Sequence, residues 1–364
     1  MPLGIRTIVF KTMMMDRPCG YGEVYRVTLN KAFDTFLTPE ERSNDQLIAS
    51  LTDDIVKCWL KYQALPYEYF LFDFRNRNDA ERWEFETDWD RLLTLCRVSD
   101  NKLFQEEIND KYNFYQLAKP YFKREAIKVE SLQQYESFVD FVKRHGEVFV
   151  KPLGGSKGQG AHLYAFHDES KTGDYLRELL EKCTSWMVEE RIRQCAAMGQ
   201  WNETSVNSIR IPSFLHEGKF TVIWTRMRMG KKGSVVDNAG AGGIVVNVDP
   251  KTGVVTSDGI DESFNHFEKH PGSGLTFKGW QVPRWEELLK TVEELHRTVF
   301  KKHVYIAWDF ALTDEGWVVI EGNWGQLLGQ QTASQVGVRK KFHELVGDKI
   351  LLQNNTCFLN RWIY

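Results

Sequence analysis

The sequence predicts an α+β protein, with a helical front followed by antiparallel strands. Thr38, Pro39 and the two glutamates after them form a helix start, and residues 39–94 continue with helix-favouring patterns. From residue 205 to 247 three apolar strands alternate with turns, and residues 306–320 form a β-hairpin around a turn cluster at 314–316. Helices combined with several antiparallel hairpins indicate the α+β class.

The middle of the chain alternates between helices and strands. We expect helices at residues 101–118, 131–145 and 174–183, and strands at residues 147–151, 161–166 and 186–190. Further strands are predicted at residues 206–214, 220–229 and 244–248, and a helix at residues 284–299 leads into the hairpin. No internal repeat or low-complexity segment interrupts this order.

Composition and charge exclude several classes of protein. The 364 residues can form two or three sub-domains, and the net charge of −3 gives no global attraction for nucleic acid or an anionic membrane. The six cysteines are scattered without a C-x-x-C pair, which favours reduced thiols. No run of about 20 apolar residues and no signal peptide is visible. We therefore expect a cytoplasmic protein without membrane insertion.

The hairpin near the end of the chain carries three candidate metal ligands. Asp309 and Glu321 lie six residues either side of Glu315, so a hairpin folded there places them opposite each other. Asn323 follows Glu321 by two residues and shares its face. Two carboxylates and an amide oxygen form a hard oxygen site suited to Mg²⁺. The alternative is a polar hairpin with its acids in solvent, but large apolar neighbours argue against it.

A glycine-rich turn follows the predicted strand that ends at Lys151. Glycine lets backbone N–H groups approach phosphate oxygens, and lysine adds a mobile positive charge. The spacing is neither that of a Walker loop nor G-x-G-x-x-G. A plain hairpin turn is an equally good reading of this segment alone. The candidate phosphate-binding residues are Lys151, Gly154, Gly155, Ser156, Lys157, Gly158 and Gly160.

Charged residues on the strands between these two segments complete the candidate site. Glu189 and Glu190 end a strand, where a carboxylate can accept hydrogen bonds from ribose hydroxyls, although a solvated pair explains them equally well. Arg210 and Arg228 occupy otherwise apolar strands and need a partner, which is either an internal acid or an anionic ligand. Arg226 is a weaker candidate that faces the same side as Arg228.

In this order the features resemble an ATP-grasp enzyme over about residues 109–331. The hairpin with Asp309, Glu321 and Asn323 is the most specific part. Residues 205–210, 236–244 and 308–317 look like the branch called sugar-transfer-associated ATP-grasp proteins, which also resembles the α-L-glutamate ligases. The helical front, including residues 67–72, is similar to the region that precedes the grasp fold in that branch.

The resemblance implies two α+β lobes that clasp ATP behind a mainly helical N-terminal region. It places the helical region at residues 1–100, the small lobe with the glycine-rich loop at 101–190, and the large lobe with the metal site at 191–364. Lys111 and Lys151 would reach the phosphates, and the glycine-rich loop would close over them. The further roles implied are adenine and ribose binding by Glu189 and Glu190, one or two Mg²⁺ ions at Asp309, Glu321 and Asn323, and charge neutralisation by the catalytic Arg210 and Arg228.

The activity implied is an ATP- and Mg²⁺-dependent carboxylate–amine ligase that works through an acyl phosphate. Its partners would be a small-molecule carboxylate and an amine, in the biosynthesis of a polysaccharide or a peptide-like metabolite. Two alternatives stay open, namely an ATP-grasp kinase that phosphorylates a hydroxyl and a nucleotide-binding module without turnover. His266 and His270 have helical metal spacing but no third ligand, so we expect both to be surface residues.

Overall fold

The computed structural model describes residues 20–154, 159–231, 233, 243–261, 265–325 and 327–347, with side chains from residue 25 onward. These residues form two compact units. Residues 20–99 pack with residues 327–347 in the first unit, and residues 100–325 form the second. The lobe boundary expected near residue 190 falls inside the second unit and stays a prediction.

The first unit consists of helices with well-formed ends. Thr38 caps its helix with a capping box, and Asn44 caps the next helix by accepting a hydrogen bond from the Leu47 N–H. Residues 25–122 contain no strand, so the expected helical N-terminal region is present. The helices of this unit are Gly20–Phe36, Pro39–Arg42, Asp45–Tyr62, Pro66–Leu71, Asp79–Trp83, Asp88–Val98, Leu328–Ser334 and Arg339–Leu345, with a 3₁₀ turn at Phe74–Asn76.

A buried charge cluster joins the helix Arg339–Leu345 to residues 86–90. Arg339 forms an ion pair with Asp90, and His343 Nε2 lies 3.1 Å from Glu86 Oε2. The Gln331 amide also bonds the backbone N–H and C=O of Glu86, both at 2.9 Å. Because the paired residues are about 250 positions apart in the chain, sequence patterns gave no sign of this cluster.

The second unit begins with short helices and a four-stranded antiparallel sheet. The strands are β1 Ala126–Val129, β2 Glu147–Pro152, β3 His162–Ala165 and β4 Trp186–Glu190, in the order β1-β4-β2-β3. Phe138 and Val142 of one helix and Leu176 of another pack in a buried core with strand residues. The helices of this part are Asn101–Phe104, a π-helical turn at Gln105–Asn109, Lys111–Phe122, Tyr135–His145 and Glu169–Lys182, with a 3₁₀ turn at Leu132–Gln134.

A larger antiparallel sheet forms the rest of the second unit. Its strands are β5 Ser208–His216, β6 Lys219–Val222, β7 Thr225–Met229, β8 Ile244–Val248, β9 Gly259–Ile260, β10 His266–Phe267, β11 Tyr305–Thr313 and β12 Gly316–Asn323. The order is β10-β9-β8-β7-β5-β11-β12, and β6 pairs with β5. The short helix Ala196–Gly199 precedes β5, and the helix Trp285–Thr298 buries Leu288, Val292 and Leu295 in the core.

The helix Lys111–Phe122 approaches β12 closely at Gly322. A Cβ atom at Gly322 would lie 2.9 Å from Phe114 Cε2, closer than side-chain carbons pack. This position therefore requires glycine. The close approach places the start of the helix, with Lys111, beside the strand that carries Glu321 and Asn323.

The hairpin of β11 and β12 contains a bulge that decides which side chains share a face. Its turn has two central residues, since Thr313 pairs with Gly316, and Gly316 adopts a φ of +122°. Phe310 pairs with Val319 and Asp309 pairs with Glu321, which leaves Ile320 as an extra residue. Without this bulge Asp309 would oppose Ile320, and Glu321 would point to the opposite face. The predicted pairing is observed, but the bulge produces it rather than symmetry about Glu315.

Two local expectations were wrong. The strand expected at residues 220–229 is split into β6 and β7, because Trp224 adopts a left-handed φ of +63° that ends the pairing. His270 is fully buried, contrary to its expected surface position, and its Nε2 lies 3.2 Å from the Gly230 carbonyl oxygen. His266 is exposed, as expected.

The α+β class is confirmed. Among the described residues, no helix combines the length and the apolar character needed to cross a bilayer.

Candidate active site

Four charged residues form a row across four neighbouring strands of the larger sheet. Arg226 on β7 pairs with Arg210 on β5, Arg210 pairs with Asp309 on β11, and Asp309 pairs with Glu321 on β12. Directly opposed residues of antiparallel strands project from the same face. The register therefore brings two guanidinium groups and two carboxylates together on one face of the sheet.

Asp309 is the buried centre of this row. Its carboxylate accepts a two-point contact from Arg210, with Nε to Oδ1 at 2.7 Å and Nη2 to Oδ2 at 2.6 Å. Arg228 Nη2 lies 2.8 Å from the same Oδ2 atom, and its guanidinium also donates to Ser208 Oγ. Burial alone would raise the pKa of Asp309, but Arg210 and Arg228 outweigh burial and lower this pKa to about 2. Asp309 is therefore an ionised carboxylate held by two arginines.

Glu321 and Asn323 are the remaining oxygen donors, and they fit a divalent cation. Burial and the neighbouring Asp309 raise the pKa of Glu321, and this effect exceeds the opposing one of Lys151 and the arginines. Among the described residues, no side chain donates a hydrogen bond to Glu321 or Asn323. A carboxylate destabilised in this way is stabilised by a hard cation, and an adjacent amide oxygen suits the same ion. Asp309 can join them only if it releases part of its contact with the arginines.

Arg226 carries a buried charge that the described residues leave without an ion pair. It lies directly across from Arg210, and like charges facing each other on neighbouring strands are destabilising. Burial and then the two neighbouring arginines, Arg210 and Arg228, lower the pKa of Arg226 to about 9. Because the guanidinium group stays charged at neutral pH, the lowered pKa reflects the energetic cost of burying this charge rather than a loss of charge. An anionic ligand would remove that cost.

The small sheet contributes a second charged row, made of Arg124, Glu189 and Lys151. Lys151 Nζ lies 2.7 Å from Glu189 Oε1, and Arg124 Nε and Nη2 donate to Glu189 Oε2 at 3.0 and 2.8 Å. Although burial raises the pKa of Glu189, the two cationic partners outweigh it and keep this pKa below its usual value. The Glu189 carboxylate is thus already engaged within the protein. Sequence reasoning singled out Glu189 and Lys151 but missed Arg124.

Lys111 extends this basic surface toward the larger sheet. Its Nζ donates to the Leu153 carbonyl oxygen at 3.2 Å, just before the glycine-rich loop. Burial lowers the pKa of Lys111, while nearby Glu321 acts in the opposite direction and Lys151 adds to the lowering. These mutual effects mean that Lys111, Lys151 and Glu321 lie close enough to interact. Lys111 and Lys151 therefore lie near the Glu321 carboxylate of β12.

The remaining candidates of the phosphate loop and the glutamate pair are less constrained. Gly154 and Gly160 are exposed on either side of the loop, whereas Gly155, Ser156, Lys157 and Gly158 lie outside the described residues. Glu190 is half-buried, and its Oε2 lies 3.4 Å from the Glu125 N–H. Of the glutamate pair, Glu190 is the one whose carboxylate has no ion pair among the described residues.

Two antiparallel sheets, each carrying a row of acidic and basic side chains, define a two-sheet α+β class of protein. The sequence profile of the family described as "Sugar-transfer associated ATP-grasp" matches residues 95–346 of this chain. The chain belongs to the sugar-transfer associated ATP-grasp family. The predicted ATP-grasp fold and the resemblance to this branch are confirmed.

Solved structures similar to this chain include three ligases or synthetases. The D-alanyl-alanine synthetase A of Vibrio cholerae has 12% identity and a TM-score of 0.40, with 71% of this chain and 66% of that chain covered. The D-alanine–D-alanine ligase of Bacillus anthracis has 14% identity and a TM-score of 0.42, with coverages of 74% and 76%. The D-cycloserine synthetase DcsG has 11% identity and a TM-score of 0.44, with coverages of 78% and 94%.

This chain thus spans just under two thirds of the Vibrio cholerae synthetase. No curated protein sequence matches the chain at a significant level.

Proposed function

We propose that this protein is an ATP- and Mg²⁺-dependent ligase that joins a carboxylate to an amine through an acyl phosphate. The observation that carries the proposal is the charged row Arg226–Arg210–Asp309–Glu321, with Lys111 and Lys151 near its Glu321 end. Family membership adds the ATP-grasp fold to this arrangement. Such a site combines positive charge for phosphate oxygens with hard oxygen donors for a metal ion.

In this proposal the phosphates of ATP bind on the basic side of the site. Lys111 and Lys151 contact phosphate oxygens, and the backbone around Gly154 and Gly160 contributes N–H groups. Glu190 or its backbone contacts the nucleoside. Since the Glu189 carboxylate is engaged by two cations, its part is to hold Lys151 rather than to bind ribose through its side chain.

Glu321 and Asn323 would hold Mg²⁺, together with Asp309 when the arginines move toward the phosphates. When bound, the metal would offset negative charge on the phosphate oxygens. Arg210 and Arg228 are already aligned on one face and would pass from Asp309 to the transferring phosphoryl group. Asp309 therefore keeps both guanidinium groups in place before substrate arrives.

The reaction requires no protein nucleophile. A carboxylate oxygen of the first substrate attacks the γ-phosphorus of ATP, ADP leaves, and an acyl phosphate forms. The amine of the second substrate then attacks the acyl carbon, inorganic phosphate leaves, and the ammonium proton is lost to solvent. Arg226 would hold the substrate carboxylate next to the phosphoryl group, because its buried charge needs an anion.

A screen of carboxylate and amine pairs for Mg²⁺-dependent ADP release tests this proposal. We expect one pair to give ADP, phosphate and an amide, and expect Glu321→Gln to lower the rate at least about 100-fold. Glu315→Gln is the matched control, since Glu315 is an exposed glutamate at the tip of the same hairpin. Equal rates for the Glu321→Gln variant and the parent would contradict the assignment of Glu321 to the metal site. A stable phosphorylated product instead of an amide would identify a kinase.

A further inference from the structure

We infer that Arg124 is a positioning residue, which fixes the phosphate-binding Lys151 through Glu189 and links it to the metal-site strand β12. The inference rests on the proposed function for the role of Lys151 and goes beyond it by assigning a part to Arg124. Arg124 lies outside the predicted motifs, and its side chain is only 4% exposed. Its effect on the site is therefore indirect.

The register of the small sheet explains why these three side chains meet. Ala126 of β1 lies opposite Glu189 of β4, and Arg124 precedes Ala126 by two residues. Lys151 of β2 lies opposite Met187, two residues before Glu189. Diagonal neighbours of this kind share a face and are within reach of long side chains. The strands β2 and β4, together with the residues just before β1, thus place Arg124, Glu189 and Lys151 in one line.

Burial restricts the movement of these three side chains and makes the charge of each one depend on its partners. The side chains of Arg124 and Glu189 are 4% and 3% exposed, and that of Lys151 is 10% exposed. Glu189 cannot stay ionised here without compensation, and one lysine on a flexible stem does not fix its direction. The planar guanidinium of Arg124 binds Oε2 through two N–H groups, which leaves Oε1 directed at Lys151.

Arg124 also reaches the larger sheet. Its Nη1 donates to the Val319 carbonyl oxygen at 2.8 Å, and its guanidinium lies 4.4 Å from the centre of the Phe122 ring. Val319 is on β12, two residues before Glu321. The same guanidinium therefore holds both the glutamate that orients Lys151 and the strand that carries the candidate metal ligands.

The first test measures Lys151 directly and needs no nucleotide. The rate at which an amine-acetylating reagent modifies Lys151 is followed by mass spectrometry in the parent, Arg124→Met and Arg124→Lys. We expect Arg124→Met to raise this rate about fivefold or more and Arg124→Lys to restore most of the protection. Arg144→Met is the matched control, because it removes an exposed arginine that pairs with Glu125. The exposed Lys119 reports the reactivity of the reagent.

A double-mutant cycle separates positioning from general stabilisation. If Arg124 acts through Glu189, Arg124→Met adds little to the Lys151 labelling of a Glu189→Gln variant. Unchanged labelling of Lys151 in Arg124→Met, even with a lowered melting temperature, would overturn the inference. Fully additive effects in the Glu189→Gln background would overturn it as well.

Protection of Lys151 from acetylation by Mg-ATP in the parent is a separate measurement, which tests the proposed nucleotide binding. We expect protection in the parent and a weaker apparent affinity for Mg-ATP in Arg124→Met. Absence of protection in the parent would contradict the proposed function, while the nucleotide-free labelling would still decide the role of Arg124.

Discussion

Replacement of Arg226 by methionine should stabilise the nucleotide-free protein, whereas the same replacement of Arg228 should destabilise it. The two arginines lie on the same strand and face the same side, but only Arg228 forms an ion pair with Asp309 among the described residues. Arg226 instead faces Arg210 across the sheet. The two residues therefore provide a comparison, on one strand, between a largely enclosed arginine that has an ion pair and a buried arginine that has none among the described residues.

The magnitudes follow from the environment of each guanidinium. A pKa of Arg226 lowered from 12.5 to about 9 corresponds to about 5 kcal/mol, at about 1.4 kcal/mol per pKa unit. The folded-state pKa lies below the unfolded one, so this cost is present at every pH below about 9. Relaxation and water penetration reduce such penalties severalfold, and we expect a gain of about 1–2 kcal/mol. Loss of the Arg228 contact should cost about 1.5–3 kcal/mol.

Urea unfolding of the nucleotide-free variants, followed by tryptophan fluorescence, measures both changes. We expect the midpoint to rise for Arg226→Met and to fall for Arg228→Met. If the charge of Arg226 binds a substrate carboxylate, as proposed above, addition of Mg-ATP and a carboxylate substrate should stabilise the parent more than Arg226→Met. If Arg226→Met lowered the midpoint as much as Arg228→Met, the reasoning about an unpaired charge would be wrong.

Three further predictions concern the support of the site. Asp309→Asn should lower stability by about 3–5 kcal/mol in urea unfolding, because it removes the buried carboxylate that two largely enclosed guanidinium groups share. An equal loss in the exposed-site control Asp314→Asn would contradict this. Burial lowers the pKa of His296 from 6.5 to about 4, so the unfolded state takes up a proton first and about 3 kcal/mol should be lost between about pH 6.5 and pH 4. His296→Gln should remove that part of the pH dependence, and an unchanged pH profile would refute it. Gly322→Ala should cost about 1–3 kcal/mol through its contact with Phe114, whereas Gly154→Ala, with open space around it, should be nearly neutral in the same unfolding assay.

Sequence patterns predicted most of the strands, because alternation and turn residues are local signals. The strand at residues 244–248 has the expected bounds, and the hairpin of β11 and β12 forms where its turn residues indicate. The alignment of Asp309 with Glu321 depends on a feature that composition does not encode. A two-residue turn alone would have separated them, and only the bulge at Ile320 returns Glu321 to the shared face.

Contacts between distant parts of the chain account for what the sequence did not reveal. From the sequence alone, Arg124 is indistinguishable from a charged surface residue. In the structure, the pairing of β1 with β4 brings it beside Glu189, which lies 65 positions further along the chain. His270 looked polar and exposed among glycine and proline, but it is buried against Gly230. The buried pairs of Arg339 with Asp90 and of His343 with Glu86 join residues 249 and 257 positions apart in the sequence. In each case the partner is set by tertiary packing rather than by local pattern.

The most direct test of the proposed site is the Mg²⁺ dependence of ATP binding, measured by isothermal titration calorimetry with the parent and Glu321→Gln. If Glu321 helps to hold a metal ion beside the phosphates, Mg²⁺ should strengthen ATP binding to the parent about tenfold or more, and this gain should be absent in the variant. The same gain from Mg²⁺ in both proteins would contradict the assignment of the carboxylate row as the metal side of an ATP site.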